Sequence, residues 1–191
     1  MPLSGPSLEG RNLRRLADLL TLSRAALGLP LLLALMGGAQ AVAWVLLLLG
    51  GLTDWADGWL ARRAGGGSVW GARLDPLTDK ILISAPLLWL AAEPAAGPHL
   101  PLWAVWLLLA RELLISGWRS SQGTGGPASW SGKAKTILQF ASLLLLLWPG
   151  AWTLGMPPAV LPQALHGIGW WLFWPSLLLA LSSAWGYLRK G

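Results

Sequence analysis

Four aspartates, Asp54, Asp57, Asp75 and Asp79, fall in one short stretch of a chain that is otherwise 54% hydrophobic and only 12% charged. They are half of its eight acidic residues. An ionisable group in so apolar a sequence is costly and is retained mainly where it works. On an α-helix, positions 54, 57, 58 and 61 follow the i, i+3, i+4, i+7 rule and form one stripe. Here that stripe reads carboxylate, carboxylate, glycine, alanine, with Arg62 beside it. Gly58 and Ala61 leave room for a ligand or a neighbouring helix to approach. Asp75 and Asp79 are i, i+4 and share a face of the following helix, with Gly71 one turn earlier. Two such helices facing each other would bring four carboxylates to one point. Like charges this close need compensation, and an all-oxygen donor set favours a hard divalent ion such as Mg²⁺, Mn²⁺ or Ca²⁺.

Residue types alone leave three uses open for the cluster: a two-metal centre acting on a phosphate, a cation or proton path through a transporter, or a structural metal. Arg62 favours phosphate, because a guanidinium matches phosphate geometry. The run Gly65-Gly66-Gly67-Ser68 joins the two helices. It serves either to bring backbone N–H groups to a phosphate or simply as a flexible turn.

The length of 191 residues fits a single domain, 1–191. The absence of cysteine excludes disulfides, thiolate metal sites and a cysteine nucleophile. Six apolar segments, at about 21–37, 41–63, 74–93, 101–119, 133–149 and 168–187, each approach the roughly 20 residues that span a bilayer. The fold expected is therefore all-α, a polytopic membrane protein with six transmembrane helices. Over residues 11–20, Leu13, Leu16, Leu19 and Leu20 lie on one side and Arg11, Arg14, Arg15 and Asp18 on another. This reads as an N-terminal amphipathic juxtamembrane helix, about 8–20, or else as the charged start of the first span. A basic start, an apolar run and Ala39-Gln40-Ala41 also resemble a signal peptide, although the second segment follows at once, as in an antiparallel hairpin.

The net charge of +6 points to membrane orientation rather than nucleic acid. All fourteen Lys and Arg residues fall in the N-terminal segment, the 62–80 region, the 111–135 region or the C-terminal end. By the positive-inside rule both termini and the carboxylates then face the cytoplasm. Trp89, Trp103, Trp148, Trp152, Trp170 and Trp171 cluster near the opposite ends, as an aromatic belt would. His99 and His166 lie there too and read as surface residues.

The spacing D-x2-D-G-x2-A-R-x8-G-x3-D-x3-D, from Asp54 to Asp79, resembles at every defined position the signature of the CDP-alcohol phosphotransferase family of integral membrane enzymes. A second stretch joins Ala110-Arg111-Glu112, Ser116 and Arg119 to Gly132-Lys133-Ala134-Lys135-Thr136 and Gln139. It is similar to the phosphatidylglycerophosphate synthase branch of that family. The resemblance implies that Asp54, Asp57, Asp75 and Asp79 bind two Mg²⁺ (or Mn²⁺) ions, and that Gly58, Arg62 and Ser68 contact the CDP moiety. Asp79 would also be the general base. The acceptor phosphate would meet Arg111, Arg119, Lys133 and Lys135, whose charge equally suits a cytoplasmic membrane face. Implied substrates are CDP-diacylglycerol and sn-glycerol 3-phosphate, giving phosphatidylglycerophosphate and CMP in phospholipid biosynthesis. The implied setting is a homodimer in a bacterial-type plasma membrane, in contact with lipid and with no nucleic acid. Other acceptors, such as inositol phosphate or a phospholipid, are the nearest rival, and a cation or proton transporter the rival from another class. Thr21 and Arg24 fit the family's N-terminal pattern, whereas Asp18 stands where an Asn is usual.

Overall fold

The computed structural model describes residues 8–63, 69–93, 99–121, 130–155, 157 and 160–188; side chains are described for these except at 8–11, 14, 61, 69–76, 118–121, 130–133 and 185–188. The described residues form six helices and no strand: α1 (Leu8–Met36), α2 (Gln40–Arg63), α3 (Val69–Ala92), α4 (Leu102–Ser121), α5 (Trp130–Leu146) and α6 (Val160–Leu188). Three of them hold stretches long and apolar enough to cross a membrane, Arg15–Met36, Gln40–Leu60 and Val160–Ala184. Large apolar side chains stand exposed around the bundle, among them Leu29, Leu33, Trp55, Ile81, Leu114 and Leu178. A surface so apolar on its outer faces suits lipid rather than water.

The expected separate juxtamembrane helix is absent. α1 runs unbroken for 29 residues, about 44 Å at 1.5 Å per residue, so the basic segment is its first turns. The reason is local: no Gly or Pro occurs between Arg11 and Leu27 to interrupt the backbone hydrogen bonds. The helix also continues through Pro30, whose ring faces outward. At the other end of the chain, α6 begins eight residues before the apolar segment expected at 168. Gln163 and His166 lower the hydropathy there without stopping the helix.

α1 stops in a tight turn that a glycine makes possible. Gly38 has a φ of +73°, Ala39 N–H donates to the Ala34 carbonyl at 2.8 Å, and Gly38 N–H to that of Leu35 at 3.1 Å. This pair of bonds satisfies carbonyls that the helix end would otherwise leave open. The chain then reverses directly into α2, giving the antiparallel hairpin.

Burial along α1 follows one stripe. Ala17, Thr21, Arg24, Gly28, Leu31 and Leu35 are buried at alternating intervals of four and three, the spacing that keeps one seam against neighbouring helices. α2 repeats it with Ala43, Leu47, Gly50 and Asp57. The α1 seam therefore runs from polar to apolar and the α2 seam from apolar to polar, so that in the antiparallel hairpin like meets like. α1 packs along both α2 and α3, which meet each other only briefly. α3 leads to α4, α4 meets α6, and α6 packs along α5. The apolar core includes Leu31, Leu47, Leu87, Leu108, Leu143 and Phe173.

Tryptophans close the end opposite the carboxylates. Trp44, Trp148 and Trp152 pack edge to face with ring centroids 5.2–5.6 Å apart. Trp44 Nε1 donates to the Leu144 carbonyl at 2.8 Å, and His166 Nε2 to that of Trp148 at 3.0 Å. Trp103 and Trp171 are exposed as belt residues should be, so the expected belt is partly an internal aromatic joint.

α5 and α6 touch backbone to backbone at Gly169. A Cβ there would lie 2.9 Å from both the Ser142 carbonyl oxygen and the Leu146 nitrogen. Ser142 Oγ donates to the Gly169 carbonyl at 2.7 Å. Gly169→Ala should therefore force the helices apart and destabilise the protein by about 1–3 kcal/mol. Gly167→Ala, two residues earlier and with no described residue within 4 Å of the added Cβ, should be neutral or stabilising by up to about 1 kcal/mol. Thermal unfolding of the two variants in detergent checks the contrast.

Candidate active site

Three helices, not two, build the acidic site. Asp54 and Asp57 come from α2 and Asp79 from α3, and all three meet one guanidinium from α1. Arg24 Nη1 lies 2.9 Å from Asp54 Oδ1 and also contacts Asp79 Oδ1. Arg24 Nη2 contacts Asp57 Oδ2. Thr21, one turn before Arg24, places its Oγ1 3.2 Å from Asp57 Oδ2 and 3.1 Å from the Ala17 carbonyl oxygen. Its single hydroxyl hydrogen serves one of them at a time.

Exposure divides the site into a floor and a mouth. Arg24 is 1% exposed and Asp57 8%, whereas Asp54 and Asp79 are 51% and 42% exposed. The buried pair would be costly if either partner were missing. Three carboxylates against one guanidinium leave a formal charge of −2. The carboxylate oxygens at the open edge are the donor type that a hard divalent ion requires. Among the described residues no three acidic or histidine side chains are placed to share one ion, and the Arg24 guanidinium stands among the carboxylates.

The other expected residues divide as follows. Asp75 lies on α3 one turn before Asp79, but its side chain is outside the described residues, as are those of Arg119 and Lys133; Ser68 is outside altogether. Gly58 and Arg62 stand together: a Cβ at Gly58 would meet only Arg62 Nη1, at 3.4 Å. Among the described residues no other helix approaches Gly58. The open backbone and the exposed guanidinium leave space for a phosphate-bearing ligand.

A second charged cluster is centred on Glu112, which is buried. Lys135 Nζ contacts Glu112 Oε1, Arg111 Nη1 lies 2.9 Å from the same oxygen, and Lys80 Nζ is 3.8 Å from Oε2. Arg111 and Glu112, adjacent in the chain, are thus paired. Arg111 is further tied to α6, its Nε donating to the Ala180 carbonyl at 2.7 Å. Lys135 is buried, held inside the bundle rather than spread on the membrane face. The cluster carries three positive charges and one negative, a formal +2, and sits beside the acidic one because Asp79 and Lys80 are consecutive in α3. One turn beyond Lys135, Gln139 buries an Nε2 with no hydrogen-bond partner among the described residues.

Reading the sequence missed Lys80 as part of this cluster and missed Arg24 as the centre of the other. Signals existed for both. Arg24 is the lone basic residue between Arg15 and Arg62, and a cation inside an apolar helix demands a partner. Lys80 adjoins an aspartate already singled out.

Comparison with known proteins identifies relatives of the chain. Residues 14–182 match the profile of the CDP-alcohol phosphatidyltransferase family. A probable phosphatidylglycerophosphate synthase of Mycobacterium tuberculosis is 36% identical over 156 residues, covering 78% of this chain and 73% of the relative. A cardiolipin synthase (CMP-forming) of Streptomyces coelicolor is 36% identical over 192 aligned residues, covering 91% of this chain and 87% of the relative. A CDP-diacylglycerol–glycerol-3-phosphate 3-phosphatidyltransferase of Salmonella choleraesuis is 36% identical over 152 residues, covering 70% and 78% respectively.

Glu112→Ala leaves Lys135 and Arg111 without their counter-charge and should cost about 3–5 kcal/mol of stability. The double change Glu112→Leu with Lys135→Met should recover part of that loss, since it removes both members of the most buried pair. Unfolding midpoints of the three proteins in one detergent measure it.

Proposed function

The chain belongs to the CDP-alcohol phosphatidyltransferase family, and from that premise we propose that it transfers a phosphatidyl group from CDP-diacylglycerol to sn-glycerol 3-phosphate. The products are phosphatidylglycerophosphate and CMP. It is an enzyme of phospholipid biosynthesis, in a family that is membrane-bound and generally uses divalent metal ions. The observation that carries the reading is the meeting of Asp54, Asp57 and Asp79 at one point, beside a net-positive cluster that shares only α3 with it, through Lys80.

In this reading Asp54, Asp57, Asp75 and Asp79 hold two Mg²⁺ or Mn²⁺ ions. When bound, such ions neutralise a diphosphate and make nearby hydroxyls easier to deprotonate. Gly58, Arg62 and Ser68 receive the CDP moiety, the glycine by letting the nucleotide approach the backbone. Asp79 removes the proton from the acceptor hydroxyl. The resulting oxygen forms a bond to the phosphorus that carries diacylglycerol, the bond from that phosphorus to CMP breaks, and CMP leaves with the electron pair. Arg111, Arg119, Lys133 and Lys135, joined by Lys80, attract the acceptor phosphate. All six helices span the membrane of a bacterial-type cell, the site faces the cytoplasm, and the enzyme works as a homodimer.

The Streptomyces relative supports a second reading, since its similarity covers more of the chain than the others do. There the acceptor would be a phospholipid. Charge favours the first: a formal +2 matches the dianion of a phosphate monoester better than the single charge of a phosphodiester.

Purified protein given CDP-diacylglycerol and a panel of acceptors should release CMP with glycerol 3-phosphate. Release only with phosphatidylglycerol would establish the second reading instead. Chelating divalent ions should stop the reaction and Mg²⁺ should restore it. Asp79→Asn should lower turnover by about 10²–10⁴-fold in a protein that still unfolds cooperatively.

A further inference from the structure

Arg24 engages one oxygen of each of three carboxylates, Asp54 Oδ1, Asp57 Oδ2 and Asp79 Oδ1, and so stands where an ion shared by all three would sit. A guanidinium and a hard cation cannot share them fully, because Mg²⁺ needs direct oxygen contact at about 2.0–2.1 Å. Nor is Arg24 a loose surface residue that drifts into the site. It occupies the buried seam of α1 between Thr21 and Gly28, and among apolar helices it needs anionic partners.

We infer that Arg24 is the built-in counter-ion of the metal-free site, and that divalent ions bind by displacing it from the carboxylates. This rests on the metal-dependent reading above and adds a positioning role for a residue of the first helix. Without ions, Arg24 holds α2 and α3 to α1 and keeps the three carboxylates from repelling one another. With ions it gives up those oxygens, and its own positive charge then opposes ion binding. Apparent ion affinity is therefore weaker than the carboxylates alone would give. The guanidinium so released is a phosphate-matching group at the floor of the site.

Two readouts should move in opposite directions. In the full chain in detergent, Arg24→Met should lower the unfolding midpoint measured without divalent ions. The same variant should bind Mn²⁺, followed by its paramagnetic resonance signal, roughly tenfold or more tightly. Its midpoint should therefore rise more on adding Mn²⁺ than that of the wild type. Arg24→Lys, which keeps the charge, should bind Mn²⁺ nearly as the wild type does. If Arg24 merely orients the carboxylates, its loss would weaken Mn²⁺ binding, and that result overturns the inference. A wild-type chain that binds no Mn²⁺ overturns the metal reading itself and this inference with it. Should Arg24→Met fail to fold, labelling of the wild type with an arginine-selective dicarbonyl decides. Modification of Arg24 should rise when Mg²⁺ is added, and modification unchanged or reduced by Mg²⁺ would overturn the displacement.

Discussion

Arg24 cannot be buried among apolar helices without an anion, and Asp57 cannot be buried there without a cation. Their meeting fixes the rest of the bundle. It ties α1 to α2, brings Asp79 of α3 to the same guanidinium, and so sets where the mouth of the site opens. The apolar parts of the same seams, Leu31 and Leu35 on α1 and Ala43 and Leu47 on α2, hold the other end together by packing. The two halves of each seam do different jobs along one helix face.

The Glu112 cluster repeats the logic with the signs reversed. A lone carboxylate is surrounded by Lys80, Arg111 and Lys135 from three helices, while Arg111 also reaches the backbone of α6. In both clusters a single side chain of one sign restrains several of the other, and in both an excess charge remains. An acidic excess next to a basic excess is a fitting arrangement for a reaction between a cation-bound diphosphate and a phosphorylated acceptor. α3 couples them, because Asp79 and Lys80 are neighbours in the chain.

Much of this was legible in the residues. The aspartate spacing located the acidic face, and the apolar runs found all six helices with the hairpin at Gly38. For the basic segment the residues left two readings open, a separate surface helix or the start of the first span, and the continuous α1 is the second, because helix propensity does not change where the composition turns from basic to apolar. The role of Arg24 was not legible. Its partners lie 30 or more positions away in sequence, and only tertiary packing of α1 along both α2 and α3 brings them within reach. Lys135 reads from sequence either as a contact of the acceptor phosphate or as a membrane-face charge, and its burial against the Glu112 carboxylate was not legible because that pair spans two helices.

The account stands on divalent ions sitting among these aspartates, and anomalous diffraction from crystals of the protein grown with Mn²⁺ and CDP-diacylglycerol tests that most directly. It predicts manganese peaks bounded by the oxygens of Asp54, Asp57, Asp75 and Asp79, with the Arg24 guanidinium moved off them. Manganese absent from that point at saturating concentration, with Arg24 still bound to all three carboxylates, would contradict it.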